Sequence, residues 1–282
     1  MGQKISLVLG SGGARGLAHI GVIEYLEEEG YEIVSISGCS MGALVGGFYA
    51  ANKLDQYKKW ILSLGAFDII SLLDFDGESG LVSGKRLMNS LEEILSEDID
   101  IQELFIKYTA VASDINEEKE VWLQSGSLLD AIRASISIPI FFAPYTIDGK
   151  VLVDGGVLNP VPIAPTFGDK SDLTIAVNLG GEISHQNLLG APTKSEMQWM
   201  EKLKSSIASF ALRTPLLQSG TFKVANRSFD TMQANLSRVK LAAYPPDIEI
   251  TIPRNLCGMF EFHRAKEIIE YGKKAAKEHL QK

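Results

Sequence analysis

A chain of 282 residues with 45% hydrophobic content carries enough apolar material for one large core. Its formal net charge of −8 argues against a nucleic-acid surface and against long-range attraction to anionic membranes. Two cysteines make no disulfide framework, which points to a reducing, cytoplasmic setting, and no apolar run reaches the roughly 18 residues a membrane span needs. The first predicted element is the β-type run Ile5-Ser6-Leu7-Val8-Leu9. Met1-Gly2-Gln3-Lys4-Ile5-Ser6 matches the myristoylation pattern, but a strand starting at Ile5 would leave any anchor a strained linker. Next comes the loop Gly10-Ser11-Gly12-Gly13-Ala14-Arg15-Gly16, then a helix through Glu29 in which Ile20, Ile23 and Leu26 share a face. A glycine-rich loop between strand and helix offers backbone N–H groups and a helix N-terminus to an anion. That anion is either a phosphate or the oxyanion of ester cleavage. The dinucleotide fingerprint G-x-G-x-x-G fits poorly, because Arg15 stands where the third glycine belongs and Gly16 follows one place late. No acidic residue closes the second strand, and no Gly-Lys-Ser/Thr makes a P-loop.

The alternating run Glu32-Ile33-Val34-Ser35-Ile36-Ser37 predicts a second strand. It feeds Gly38-Cys39-Ser40-Met41-Gly42, and the apolar helix-like run from Ala43 to Ala50 follows. A G-x-S-x-G at a strand-to-helix turn pushes its serine hydroxyl clear of the backbone, so Ser40 is a candidate nucleophile. Further helices are predicted over 53–63, 84–96 and 127–134, and further strands over Thr109–Ser113, Val121–Leu123 and Leu173–Val177. Two apolar segments, 60–73 and 197–211, are either ordinary helix core or a wall or lid facing an acyl chain; core burial is the expectation for both. Asp148-Gly149 reads as a hairpin turn into the strand Lys150–Val153. Asp154-Gly155-Gly156 follows at the strand end, where Asp154 either forms a turn or serves as the base a serine nucleophile needs.

Four histidines compete for that role. His19 suits packing or loop support, His185 lies in a polar stretch and His279 stands near the chain end. His263, in the last helix beside the stripe Phe262, Ala265, Ile269, Gly272 and Ala276, would complete the order Ser…Asp…His of an α/β-hydrolase triad. Neither the histidines nor the cysteines Cys39 and Cys257 show metal-ligand spacing. The alternation of elements predicts an α/β fold with a mostly parallel sheet and helices on both faces. Breaks are expected from Gly180-Gly181 to Pro192 and at Tyr244–Asp247.

Taken together, the glycine loop 10–16, the elbow 38–42, Asp154-Gly155-Gly156 and the stretch Ala134–Pro139 resemble the patatin-like phospholipases, in their small bacterial form. The resemblance covers roughly residues 5 to 180 and implies a three-layer catalytic domain over 5–180, with 181–282 a mainly helical part packed on it. It implies a Ser40–Asp154 dyad acting through an acyl-enzyme, an oxyanion hole from Gly12, Gly13 and Ala14 with Arg15 supporting the loop, and structural roles for Gly10, Gly16, Gly38, Gly42, Gly155 and Gly156. The implied substrate is a lipid or lysophospholipid ester, met in transient contact with a membrane surface, and no metal or other cofactor is expected. A non-catalytic regulatory protein on the same fold, or a nucleotide-binding protein using the glycine loop, are the alternatives. Oligomeric state is not legible.

Overall fold

The computed structural model describes residues 2–74, 81–186, 188–189 and 220–281. Five strands, β1 (Lys4–Leu9), β2 (Glu32–Cys39), β3 (Lys107–Asp114), β7 (Leu173–Gly181) and β8 (Ile248–Pro253), pair in parallel in the order β3-β2-β1-β7-β8. At one end the pattern turns antiparallel. β4 (Lys119–Leu123) and β6 (Lys150–Asp154) both pair antiparallel with β3, and β5 (Tyr145–Ile147) pairs with β6. Asp148 and Gly149 both have positive φ, as a two-residue hairpin turn matched to strand twist requires.

The central strands are buried on both sides, the mark of a parallel sheet covered by helices. Ile5, Leu7 and Leu9 of β1 face the large core, which they share with α1 (Ala18–Glu28), α2 (Met41–Ala50) and α8 (Ala265–Leu280). Val8 points the other way and packs with Val161, Ile163, Ala176 and Leu241, the last from α7 (Gly220–Ala243). The result is the three-layer α/β arrangement that the alternation predicts. Helices α3 (Leu54–Ser63), α5 (Lys85–Leu95) and α6 (Leu128–Ser135) lie within one or two residues of their predicted bounds. The first helix begins at Ala18, within a residue or two of the end of the glycine loop, and the 3-10 turn Gly13–Leu17 leads into it.

β8 was not anticipated, although Ile248, Ile250 and Ile252 alternate with Glu249 and Thr251 at a strand's period of two. It lies beyond the Tyr244–Asp247 break and adds a strand to the same sheet, so the chain past residue 181 contributes more than helices. Segment 197–211 lies outside the described residues. Among the described residues, no helix is long and apolar enough to cross a membrane.

Candidate active site

One edge of β3 explains how two distant motifs meet. β4 occupies the opposite edge, so β2 and β6 share this one and arrive from opposite ends. Cys39, the last residue of β2, pairs with Val111, and Asp154, the last residue of β6, pairs with Ala112. The two strands therefore abut at their C-terminal ends, and the elbow and the aspartate turn lie side by side.

Ser40 is the hinge between β2 and α2, with φ 56° and ψ −124°. A non-glycine residue there carries strain of about 1–3 kcal/mol, held by its surroundings. Two hydrogen bonds do the holding. The Ser40 N–H donates to Ser135 Oγ at 2.9 Å, and the Ser135 hydroxyl donates to the Val111 carbonyl at 2.6 Å. Gly42 lets α2 approach, since a Cβ there would lie 2.0 Å from the Leu9 carbonyl oxygen. Gly10, Gly38 and Gly155 also stand where a Cβ would come under 3.0 Å from backbone, while at Gly16 and Gly156 it would meet the side chains of Met41 and Gln233.

Asp154 is fully buried. Its Oδ1 accepts from the Gly156 N–H at 2.7 Å, which is the turn-forming role, and Cys39 Sγ lies 3.9 Å from the same oxygen. Burial pushes the Cys39 thiol well up, so it stays protonated and faces the carboxylate as a weak donor. Oδ2 is buried and has no hydrogen-bond partner at full geometry. The Ser40 hydroxyl nevertheless interacts with this carboxyl. Burial raises the Asp154 pKa to about 6, opposed by Ser40, by the Gly156 N–H and by Cys39 in that order. The Ser40 side chain is therefore near enough to favour the charged carboxyl, while no hydrogen bond of full geometry closes the pair.

The glycine loop adjoins both groups. Gly10 N–H, Ser11 N–H and Ala14 N–H are committed, to the carbonyls of Val177, Pro160 and Met259. Ala14 was expected in the oxyanion hole; its donor is spent on Met259 at 2.8 Å and is unavailable without breaking that bond. Among the described residues no acceptor takes the N–H of Gly12 or Gly13. Gly13 has φ 56° and borders the cavity that contains Ser40. The Arg15 guanidinium donates to the Arg254 carbonyl at 2.9 Å and lies 3.4 Å from Asp230, so its side chain ties the loop to the chain beyond β8 and to α7.

An apolar cavity of about 250 Å³ opens from Ser40. Tyr57, Trp60 and Ile61 of α3, Leu64 at its C-cap, and Ile69, Leu72 and Leu73 from α4 (Ala66–Ser71) and the residues after it form much of its wall, together with Ile138, Phe141 and Phe142. Segment 60–73 was expected to be plain core. It is the cavity wall as well: Ile61, with Trp60 and Leu64 packed against the core, also lines the space beside Ser40.

His19 is buried, its Nε2 2.8 Å from the Gly10 carbonyl oxygen and its pKa lowered by burial to about 4, so a neutral ring braces the glycine loop as expected. His263 stands in a 3-10 turn, Phe262–Arg264, that precedes α8 instead of within the last helix, and it is not among the groups that act on Asp154. Sequence reasoning assigned no role to Arg133. This buried residue donates to the Ser137 hydroxyl and to the carbonyls of Ser83 and Ala143, and it lies over the rings of Phe142 and Tyr145. The Ser137 carbonyl in turn accepts from the Asp154 N–H at 2.9 Å. Serines alternating in an apolar run, as in Ala134-Ser135-Ile136-Ser137-Ile138, were the available signal, since buried hydroxyls must find partners.

The sequence profile of the patatin-like phospholipases matches residues 7–167, which hold the glycine loop, the elbow and the Asp154 turn. The chain belongs to the patatin-like phospholipase family. This places it among lipid hydrolases. An uncharacterised NTE family protein of Mycobacterium tuberculosis is 38% identical, the match covering 99% of this chain and 91% of that protein. The lysophospholipase nte1 of Emericella nidulans is 28% identical over all of this chain, but over 18% of its own length. Human patatin-like phospholipase domain-containing protein 6 is 31% identical, over 64% of this chain and 14% of that one. The crystal structure of VipD from Legionella pneumophila shares the fold, with a TM-score of 0.55 at 16% identity, covering 99% of this chain and 67% of that one. The patatin-like profile ends at residue 167, before β8 and α7, which nonetheless reach the glycine loop through Arg254 and Asp230.

Proposed function

We propose that this patatin-like protein is a serine acyl hydrolase that cleaves a lipid or lysophospholipid ester through a Ser40–Asp154 dyad. The observation that carries the reading is that Ser40, which borders the apolar cavity, is also the side chain that most strongly opposes the raised pKa of the buried Asp154 carboxyl. The ester's acyl chain occupies the cavity, where its apolar surface leaves water. Asp154 takes the Ser40 proton as Oγ attacks the carbonyl carbon, and the tetrahedral oxyanion meets the N–H groups of Gly12 and Gly13. The N-terminus of α2, at Met41, adds its uncommitted N–H groups and helix dipole to the same charge. Asp154 then returns the proton to the departing alcohol, and a water it deprotonates clears the acyl-enzyme. Substrate is met at a membrane surface during turnover, in a cytoplasmic setting. A fluorophosphonate probe tests the reading directly: it should attach to Ser40, located by peptide mass spectrometry, and a protein that stays unlabelled under native conditions is not a serine hydrolase.

The loop's part is separable. A side chain at Gly13 would come 2.7 Å from the Met259 carbonyl oxygen at a backbone angle L-residues rarely adopt. Gly13→Val should therefore displace the donors, lowering kcat by about 10²–10³ with KM little changed, since the interaction is made in the transition state. Calorimetry with ATP and NADP beside the ester kinetics tests the nucleotide alternative, which requires micromolar binding by the wild type and its loss in the variant.

A further inference from the structure

Two strands and a loop deliver Ser40, Asp154 and the glycine loop from separate parts of the sheet, so their spacing depends on whatever clips them together. A side chain of α7 is placed to do this. Gln233 is 8% exposed, and its Nε2 donates to Ser11 Oγ at 3.2 Å, within the glycine loop. The same nitrogen lies 2.0 Å from where a Cβ on Gly156 would be, and Ser11 Oγ lies 2.9 Å from that point. Gly156 is the residue whose N–H holds Asp154 Oδ1. Ser11 also acts on the Cys39 thiol, the group that faces Asp154 Oδ1. One carboxamide thus touches the loop that presents the oxyanion donors and the turn that fixes the base.

We infer that Gln233 is a positioning residue for the reaction, locking the glycine loop and the Asp154 turn at a fixed separation from outside the stretch matched by the family profile. Its carboxamide is neutral, which suits a place beside a buried carboxyl: a charged group there would perturb the base. Two neighbouring ties fix the same part of α7 and the chain after β8 to the loop, Asp230 to Arg15 and the Met259 carbonyl to Ala14 N–H. Gln233 differs from both in reaching the Asp154 turn as well.

The inference rests on the hydrolase reading, and the test keeps the two apart. In the full-length protein, Gln233→Leu preserves bulk and removes the donor. It should lower kcat for a p-nitrophenyl ester about tenfold, the scale of one hydrogen bond, while KM stays within about threefold. Gln233→Glu places a second carboxyl against the Asp154 turn. The two acids then titrate as a pair, and the acid limb of kcat/KM, set near 6 in the wild type, should move upward by about half a pH unit or more. The shift reports how close residue 233 stands to the base, and a purely structural role would instead leave kcat of the folded leucine variant at the wild-type value. Gln233→Asn, one bond shorter, serves if the leucine variant fails to fold, with the same loss of kcat expected. A wild type that hydrolyses esters beside a folded leucine or asparagine variant with unchanged kcat overturns the positioning role. A wild type with no esterase activity instead overturns the hydrolase reading.

Discussion

Ser40→Ala should reduce hydrolysis of short-chain p-nitrophenyl esters by about 10⁴-fold or more, leaving the native circular dichroism spectrum intact. The size of the effect follows from the chemistry, since no other group can form the acyl-enzyme. The survival of the fold follows from the packing. Ser40 holds its neighbours through its backbone, N–H to Ser135 and carbonyl to Leu44 N–H, and both bonds remain in alanine. Alanine is no worse than serine at φ 56°, so no new strain is added. A mutant that folds natively and turns over at the wild-type rate would remove Ser40 from the mechanism, and with it the dyad.

Asp154→Asn should cost about 10²–10⁴ in kcat, the range of general-base catalysis, and should also make the protein more stable. Both effects come from the raised pKa. With its carboxyl near 6, Asp154 is a competent base above that pH, so wild-type kcat/KM should fall about tenfold per pH unit below 6. The asparagine variant should lose that limb. For stability, the folded pKa of about 6 exceeds the ordinary value of 3.8, so the folded protein binds this proton more tightly than the unfolded chain. The contribution is fully present below 3.8 and is lost as pH rises through 6. At pH 8 the wild type therefore carries a buried charge that asparagine lacks, and the variant should gain on the order of 1–3 kcal/mol by urea unfolding. His263→Ala is the control, with a change under about threefold, well below 1 kcal/mol of barrier. An essential His263 beside a dispensable Asp154 would make this a triad enzyme, and an asparagine variant no more stable than wild type would contradict the burial of a charged Asp154.

The proposed hydrolysis would join a destabilised carboxyl, a strained serine and a loop with idle N–H groups. Each is held by contacts that contribute little to catalysis themselves, such as Ser135 under the elbow and Arg133 behind Ser137. Such an arrangement spends stability for function, which is the usual direction of the trade.

The sequence alone determined what depends on near neighbours. Strand-to-helix turns, the positive-φ hairpin at Asp148-Gly149 and the serine of the elbow are set by residues within a few positions, and each is legible there. It also named Asp154, because a strand end before two glycines is a local pattern. Only the tertiary structure decided what those residues face. β2 and β6 share an edge of β3 through pairings between residues some 40 to 75 positions apart, which no local pattern encodes. That pairing brings the Asp154 turn beside the Ser40 elbow. The same limit explains the 60–73 segment, whose helical stripe looks alike whether it seals a core or walls a cavity. It explains Ala14 too, since whether a backbone N–H is idle depends on a carbonyl, that of Met259, some 245 residues away. Periodicity fixes which face of an element is apolar, and only packing fixes what that face meets.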